Sequence, residues 1–260
     1  MSVSQKQNYA KDNYAQIEES FRAAMAEAGL HTKKRLIADA QIRRFHVEGD
    51  SKGTQNGWYV IFNGTYPAGS FGCWKRHIKE NWHYNKHKPD REEALALKRR
   101  VQEAQKQREA REENVRQKAR QRAERLFNSA ETANPDHPYL RDKGISPHDI
   151  YQNGQELLIP MYDTEQTLHS LQFIYPDGNK RFLKGGQKKA CFTAIGEIKE
   201  TICIAEGYAT AASIYESTGY YVAVAFDAGN LEPVAKALRK KHPEAKIILC
   251  ADNDWQREDN

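Results

Sequence analysis

Three short apolar runs near the end of the chain are each followed by acidic residues. Those residues are Glu206 after the first run, Asp227 after the second, and Asp252 and Asp254 after the third. Carboxylates that are brought close together repel one another, and proteins usually relieve this repulsion with a hard divalent cation held by oxygen ligands. If the fold brings the four side chains together, their chemistry predicts a site for Mg²⁺ or Mn²⁺.

The apolar runs predict the elements that position these carboxylates. The runs that begin at 201, 221 and 246 are too short for helices and do not alternate, which is typical of strands buried on both faces of a parallel sheet. Helices are predicted between them, over 207–218 and 231–241. Because the carboxyl ends of parallel strands share one edge, where ligands bind, we expect the four carboxylates to meet there.

A strand ending in Glu-Gly, followed by a strand ending in Asp-x-Asp, resembles the Toprim domain of primases, topoisomerases and some nucleases. The fuller pattern, in segments 206–212, 225–230 and 251–254, resembles the Toprim primases of phages, plasmids and integrative elements. A lone Asp-x-Asp would mean little. The order, the spacing and the placement at strand ends make this resemblance specific.

The resemblance implies roles for individual residues. Glu206, Asp252 and Asp254 would be the catalytic residues and would hold the metal ions, and Glu206 would also act as a general base. Asp227 and Asn230 lie on the same predicted edge. Asp227 is a secondary candidate there and Asn230 a candidate nucleotide contact, although both also suit the turn around Gly229.

The segment before this pattern resembles the catalytic core of replicative primases. Residues 134–145 are similar to its start, where a short helix precedes a mixed sheet, and an antiparallel meander is predicted over 157–184. The resemblance implies that basic residues of the meander face the template and the incoming nucleotide. The candidates are Arg181 and Lys184, followed by Lys188 and Lys189, which come after a flexible Gly-Gly pair.

The N-terminal region predicts a small domain of one helix and a β-meander. Apolar spacing indicates a helix over 14–28 after a polar, frayed start, and alternation indicates strands over 42–47, 58–62 and 66–71. This domain occupies the position of the zinc ribbon in many primases, without the Cys pairs of a ribbon.

One set of metal-ligand residue types follows this meander: Cys73, His77, His83 and His87. Their spacing is shorter than in common zinc modules, and Trp74, Lys75, Arg76 and Trp82 lie among them. We therefore do not expect zinc. An aromatic and basic surface that binds nucleic acid is one interpretation. The core of a small domain is the other.

A long polar helix is predicted over 90–130, with Asp90 as its N-cap. Residues 91–125 contain twelve Lys or Arg and seven Glu, a balance of +5, which equals the formal net charge of the whole chain. Such a segment is typical of a solvated spacer supported by ion pairs. A rod that contacts phosphates is the alternative.

The fold class is predicted as α/β: a Toprim parallel sheet flanked by helices, preceded by a mixed or antiparallel primase-core subdomain, a long charged helix and a small β-rich domain. The expected domains are 1–88, 89–130, 131–199 and 200–260. The chain has no apolar run of membrane-spanning length and no signal-peptide core, and its four cysteines are widely spaced. We expect a protein of the bacterial cytoplasm without a membrane partner.

The expected function is that of a DNA primase of a mobile element, a nucleotidyltransferase that makes short RNA primers. Its partners would be single-stranded DNA and ribonucleoside triphosphates, with a helicase domain or protein as a further candidate. The alternatives are a Toprim-type nuclease and a non-catalytic nucleic-acid-binding module in a primase-helicase. Toprim folds continue beyond the Asp-x-Asp strand, so we expect a longer protein or a partner covering that edge, and do not expect full activity from 260 residues alone.

Overall fold

The structure is a computed structural model, and it describes residues 3–64, 66–85 and 88–251, with side chains from residue 14 onward. His87, Asp252 and Asp254 lie outside the described residues. The chain forms two compact units, Met1–Arg111 and Glu112–Asn260. The described part is a mixed α/β structure of five helices and three sheets, and none of its helices is long and apolar enough to cross a membrane.

The first unit contains helix α1, Val3–Glu27, and a four-stranded antiparallel sheet in the order β1-β2-β3-β4. The strands are Arg43–Phe45, Gly57–Phe62, Ala68–Cys73 and Ile78–His83. The apolar stripe of α1, with Phe21 at its centre, packs on alternate residues of the sheet, because side chains of a strand point to opposite faces in turn. The expected frayed start was wrong, since the helix begins at Val3.

Helix α2, Arg91–Asn128, agrees with the predicted long polar helix. The predicted N-cap is confirmed: Asp90 Oδ1 accepts a hydrogen bond from the Glu93 N–H at 2.8 Å, and Glu93 Oε2 accepts from the Asp90 N–H at 3.1 Å. Its buried residues are Ala119 and Ala123, which pack with leucines of the second unit's antiparallel sheet. The end of α2 is therefore part of a core, and the remainder is a solvated helix.

The second unit begins with a five-stranded antiparallel sheet in the order β5-β6-β7-β8-β9. Its strands are Glu131–Thr132, Tyr151–Asn153, Glu156–Tyr162, Leu168–Ile174 and Lys180–Phe182. The short helix α3, Pro138–Lys143, follows β5. The buried His137 caps α3, with its Nδ1 accepting from the Tyr139 N–H at 3.2 Å, and Gly144 ends it in the left-handed conformation.

The last sheet has the order β10-β12-β11-β13, with strands Thr193–Ile195, Thr201–Ala205, Tyr221–Val224 and Lys246–Cys250 in chain order β10 to β13. Strands β11, β12 and β13 are parallel, as predicted, and β10 pairs antiparallel with β12.

Helices cover both faces of this sheet. Alternate residues of β11 contact helix α4, Tyr208–Thr218, and the residues between them contact helix α5, Ala228–Lys241. This two-sided burial explains the uninterrupted apolar runs of the first two strands. The expectation that the third strand is equally buried was wrong: Leu249 is 53% exposed, and among the described residues β13 pairs with β11 alone.

Candidate active site at the carboxyl edge of the parallel sheet

Strand register aligns the ends of the three parallel strands. Ala205 lies opposite both Val224 and Cys250, and the Ala225 N–H extends the pairing by donating to the Ala205 carbonyl at 2.8 Å. We call this edge of the sheet the carboxyl rim. Glu206 is the first residue beyond β11 and is half-buried. Asp252 and Asp254 follow the end of β13 in the sequence, so their place at the rim stays a prediction.

The segment that follows Glu206 is held firmly. Tyr208, at the start of α4, is fully buried, and its hydroxyl oxygen accepts a hydrogen bond from the His148 N–H at 2.7 Å. Burial raises the pKa of the Tyr208 phenol, so it remains a neutral group. At the other end of α4, Glu216 accepts from the Ser146 N–H at 2.8 Å. These contacts fix the helix whose first turn begins beside Glu206.

Asp227 lies at the rim and forms an ion pair with Lys188. Asp227 occupies the N-cap position of α5, but its side chain makes no capping hydrogen bond there and accepts one from the Lys188 ammonium group instead. The structure thus brings together two of the predicted site residues that lie far apart in the sequence. Lys189, the next residue, is exposed.

Asn230 is buried and its amide is fully used by the backbone. Its Oδ1 accepts from the Ala190 N–H at 2.8 Å, and its Nδ2 donates to the carbonyls of Cys191 at 2.9 Å and Ala225 at 2.8 Å. A nucleotide contact by Asn230 stays a prediction. The observed bonds favour a different role, in which the amide fastens the 188–191 segment to the end of β12 and the start of α5.

Strand β9 supplies residues on both of its sides. A Cβ atom at Gly207 would lie 3.6 Å from Lys180 Nζ, so Lys180 reaches the rim beside Glu206. Arg181 points away from this side, because alternation turns it to the opposite face, where its guanidinium carbon lies 5.6 Å from the centre of the Tyr175 ring. Lys180 was not among the predicted residues. Lys184 was predicted as a nucleotide or template contact, and its side chain is exposed.

Two phenylalanines also lie at the rim and were not predicted. The rings of Phe182 and Phe226 meet edge to face with their centres 6.2 Å apart, and Lys188 Nζ lies 5.2 Å from the Phe182 ring centre. Phe226 has a positive φ of 73°, which is costly for a residue with a side chain and is common at functional sites. Phe182 is 41% exposed, so part of its ring is open to a ligand.

Among the described side chains, no group of three or more His, Cys, Asp or Glu residues could hold a metal ion. At the rim, Glu206 and Asp227 supply carboxylate oxygens, the donor type that Mg²⁺ and Mn²⁺ prefer, and the other two predicted ligands lie outside the described residues. The oxygen type of these side chains suits a magnesium-type ion, but Asp227 is paired with Lys188, so a complete ligand set among Glu206, Asp252 and Asp254 stays a prediction.

Cys73 and His83, two of the residues considered as zinc ligands, lie on different sides of the first unit's sheet. Cys73 is fully buried in the core that α1 covers. His83 is exposed, and its ring packs against Tyr66 with centres 5.5 Å apart. These two side chains belong to opposite faces of the sheet, which argues against a shared ion. All four cysteines of the chain are free thiols.

Comparison with known proteins gives a consistent answer. Residues 200–256 match the Toprim domain family. A DNA primase TraC of Escherichia coli is 33% identical over 262 aligned positions, which cover 95% of this chain and 24% of the relative. A second DNA primase TraC of Escherichia coli is 33% identical over 249 positions, covering 91% of this chain and 17% of that relative.

The chain spans at most about a quarter of the length of these curated relatives. No solved structure matches it significantly. The resemblance found in the sequence is nevertheless confirmed on two grounds, the domain match and the identity over nearly the whole chain. The chain contains a Toprim domain over residues 200–256 and is similar over nearly all of its length to DNA primases named TraC.

Proposed function

We propose that this chain belongs to a DNA primase that makes short RNA primers on single-stranded DNA for a mobile element. One observation carries the proposal: Glu206 lies at the carboxyl rim of a parallel sheet, aligned in register with the strand that leads into Asp252 and Asp254. The Toprim match and the similarity to primases named TraC support it.

In primer synthesis a 3′-hydroxyl attacks the α-phosphate of a nucleotide and pyrophosphate leaves. Glu206, Asp252 and Asp254 would hold Mg²⁺ or Mn²⁺, which when bound stabilises negative charge on the attacking and leaving oxygens. Glu206 would also accept the proton of the hydroxyl as a general base. In this proposal the side chains hold the reactants in line and take up the proton that the bond formation releases.

The cationic groups beside the rim have a separate task. Lys180 and Lys188 reach it from two different segments, and their ammonium groups suit the triphosphate of a ribonucleotide. Arg181, which points to the other side of β9, and the exposed Lys184 and Lys189 are the proposed contacts for the phosphates of a nucleic-acid strand. Single-stranded DNA and ribonucleoside triphosphates are thus the proposed partners, in the cytoplasm, with a helicase as a candidate third partner.

The test is primer synthesis by the Glu206→Gln variant, in this chain or in a longer protein that contains it. RNA product is measured on a single-stranded template with ribonucleotides and Mg²⁺ or Mn²⁺. We expect a loss of about 100-fold or more, because both a ligand and a base are removed. The matched control is Glu197→Gln, a change at an exposed glutamate, which should leave the rate unchanged.

Other outcomes favour the other candidates. Nicking of DNA without nucleotides, lost in the same variant, would establish a Toprim nuclease. Binding of DNA with neither activity would establish a non-catalytic module.

A further inference from the structure

The four-stranded sheet of the first unit has one face covered by α1 and a second face that α1 does not touch. On the covered face, Phe21 makes edge-to-face contacts with Tyr59, Phe71 and Trp82 at ring-centre distances of 6.1, 5.4 and 5.0 Å. Alternation places the remaining strand residues on the other side of the sheet. We call that side the open face.

The open face has a distinct composition. Its strand residues include two cations, two large apolar groups, one tryptophan and several small or polar side chains, and none of them is Asp or Glu. They are Arg44, Trp58, Val60, Phe62, Ala68, Ser70, Gly72, Lys79, Asn81 and His83. Lys75 lies in the turn that follows β3. A surface with cations and no carboxylate among its strand residues is complementary in charge to a polyanion.

A stack of three side chains occupies one end of the open face. The Arg44 guanidinium carbon lies 4.4 Å from the centre of the Trp74 ring, and the rings of Trp74 and Trp58 lie 5.9 Å apart at an angle of 37°. Trp58 lies over Gly72, where a Cβ atom would come within 2.9 Å of the indole. The stack therefore rests on the sheet itself, and the glycine leaves room for it.

Core packing does not account for this stack. Trp82, on the covered face, is only 7% exposed, whereas Trp74 is 46% exposed although it already contacts both Arg44 and Trp58. An indole ring that contacts its neighbours and is still half open to solvent offers a surface to another planar group.

We propose that the open face binds single-stranded DNA, with a base stacked on Trp74 and the phosphates beside Arg44 and Lys79. Every base has a π-face, so such a surface accepts a strand without regard to its sequence. Arg44 contributes both its charge and its planar contact with the ring. The choice of DNA as the strand rests on the proposed function, in which the template is single-stranded DNA.

The experiment measures binding of fluorescently labelled oligo(dT) to the whole chain by anisotropy. Trp74→Ala should weaken binding by about tenfold, the usual cost of losing one base–aromatic contact. Tyr220→Ala is the matched control, because Tyr220 is also 46% exposed but lies in the second unit; it should bind as the wild type does. Trp74→Phe should restore most of the affinity, since it keeps a ring.

A charge variant gives a second, independent readout. Lys79→Glu should weaken binding. It should also reduce the slope of log affinity against log salt concentration by about 1, the change expected when one phosphate contact is lost. Circular dichroism of each variant identifies any that fail to fold. If Trp74→Ala does not fold, the affinities of Trp74→Phe and Lys79→Glu test the proposal. Unchanged affinity in both Trp74→Ala and Lys79→Glu would overturn the proposal. Tighter Trp74-dependent binding of oligo(rU) than of oligo(dT) would overturn the assignment to DNA.

This result is separable from the proposed function. Loss of oligo(dT) binding in Trp74→Ala, when a longer protein that contains this chain makes no primer, would support the open face and remove the primase proposal. Primer synthesis that depends on Glu206, with oligo(dT) affinity unaffected by Trp74 and Lys79, would do the reverse.

Discussion

The ammonium group of Lys188 donates a hydrogen bond to the carboxylate of Asp227, 39 residues later in the sequence. This pair joins the segment after β9 to the first residue before α5, directly at the carboxyl rim. Its side chains are 42% and 35% exposed, so both remain within reach of solvent and of a ligand. The pair places a cation where a triphosphate would arrive and keeps one acidic side chain of the rim neutralised.

Lys188→Ala should therefore impair primer synthesis with little effect on stability. We expect about a tenfold rise in the ribonucleotide concentration needed for half-maximal rate, the usual effect of losing one charge-assisted hydrogen bond. A half-exposed ion pair contributes at most about 1 kcal/mol to the free energy of unfolding. Steady-state primer synthesis and urea unfolding measure the two effects. Lys199→Ala, at an exposed position before β11, is the control, and an equal effect of both changes would contradict a specific role for Lys188.

Asn230→Ala should destabilise the second unit markedly. It removes the partners of one buried N–H and two carbonyls, so the free energy of unfolding should fall by about 2–4 kcal/mol. Urea denaturation checks this, with Asn153→Ala as the control because Asn153 is exposed. A change smaller than that of the control would show that solvent replaces the lost bonds without cost.

Gly186→Ala should be destabilising because the added methyl group has no space. Its Cβ would lie 2.1 Å from Ser170 Oγ and 2.6 Å from Ser170 Cβ, and Ser170 is buried in β8. Such overpacking costs about 1–3 kcal/mol.

The matched test for this clash is a double-mutant cycle. Ser170→Gly removes both contacting atoms, so the double variant should lose less stability than the sum of the two single variants. Strict additivity would mean that Gly186 is required for another reason. The neighbouring Gly185 also lies in a packed position, because a Cβ atom there would lie 2.7 Å from Val115 Cγ1 of α2.

Glu216 should make stability depend on pH in the acid range. The Ser146 N–H and the His148 imidazole hydrogen-bond its carboxylate, and together they lower the pKa of Glu216 below its usual value of 4.5. A group whose folded-state pKa is lowered stabilises the fold above its unfolded value, and this contribution is lost as the pH falls through the folded value. The wild type should therefore lose more stability than Glu216→Gln as the pH falls below about 5.

Urea midpoints measured across this range check the Glu216 prediction. Glu197→Gln, at an exposed position, should follow the wild type throughout. Parallel curves for the wild type and Glu216→Gln would show that the carboxylate makes no net contribution.

The parallel strands were predictable, whereas strands β4, β5, β6 and β10 were not. Strands β11 and β12 lie between two helices, so nearly all of their residues are apolar and the run is visible in the sequence. Strand β4 has four exposed residues among six, β5 has two residues in all, and β6 and β10 have three each. None of them has an apolar pattern long enough to recognise. A strand was recognisable in the sequence where it is long enough and most of its residues are buried.

The site was predictable only where a motif carried it. Glu206 was found through its place after a buried strand, whereas Lys180 was missed in favour of its neighbour Arg181. Alternation says that the two point in opposite directions, but only the packed structure shows which of them reaches the rim. The contact between Phe182 and Phe226 joins distant segments and has no local signature.

The hydrogen bonds of Asn230 also determine which atoms can stand at that position. Its oxygen meets an N–H and its nitrogen meets two carbonyls, so the polarity of the amide has a required direction. Aspartate has the same volume, yet it would turn a negative oxygen toward two carbonyl oxygens. Aspartate at this position would therefore repel the end of β12, whereas a smaller residue would only lose the hydrogen bonds to it. Side-chain volume alone does not predict which residues position 230 tolerates.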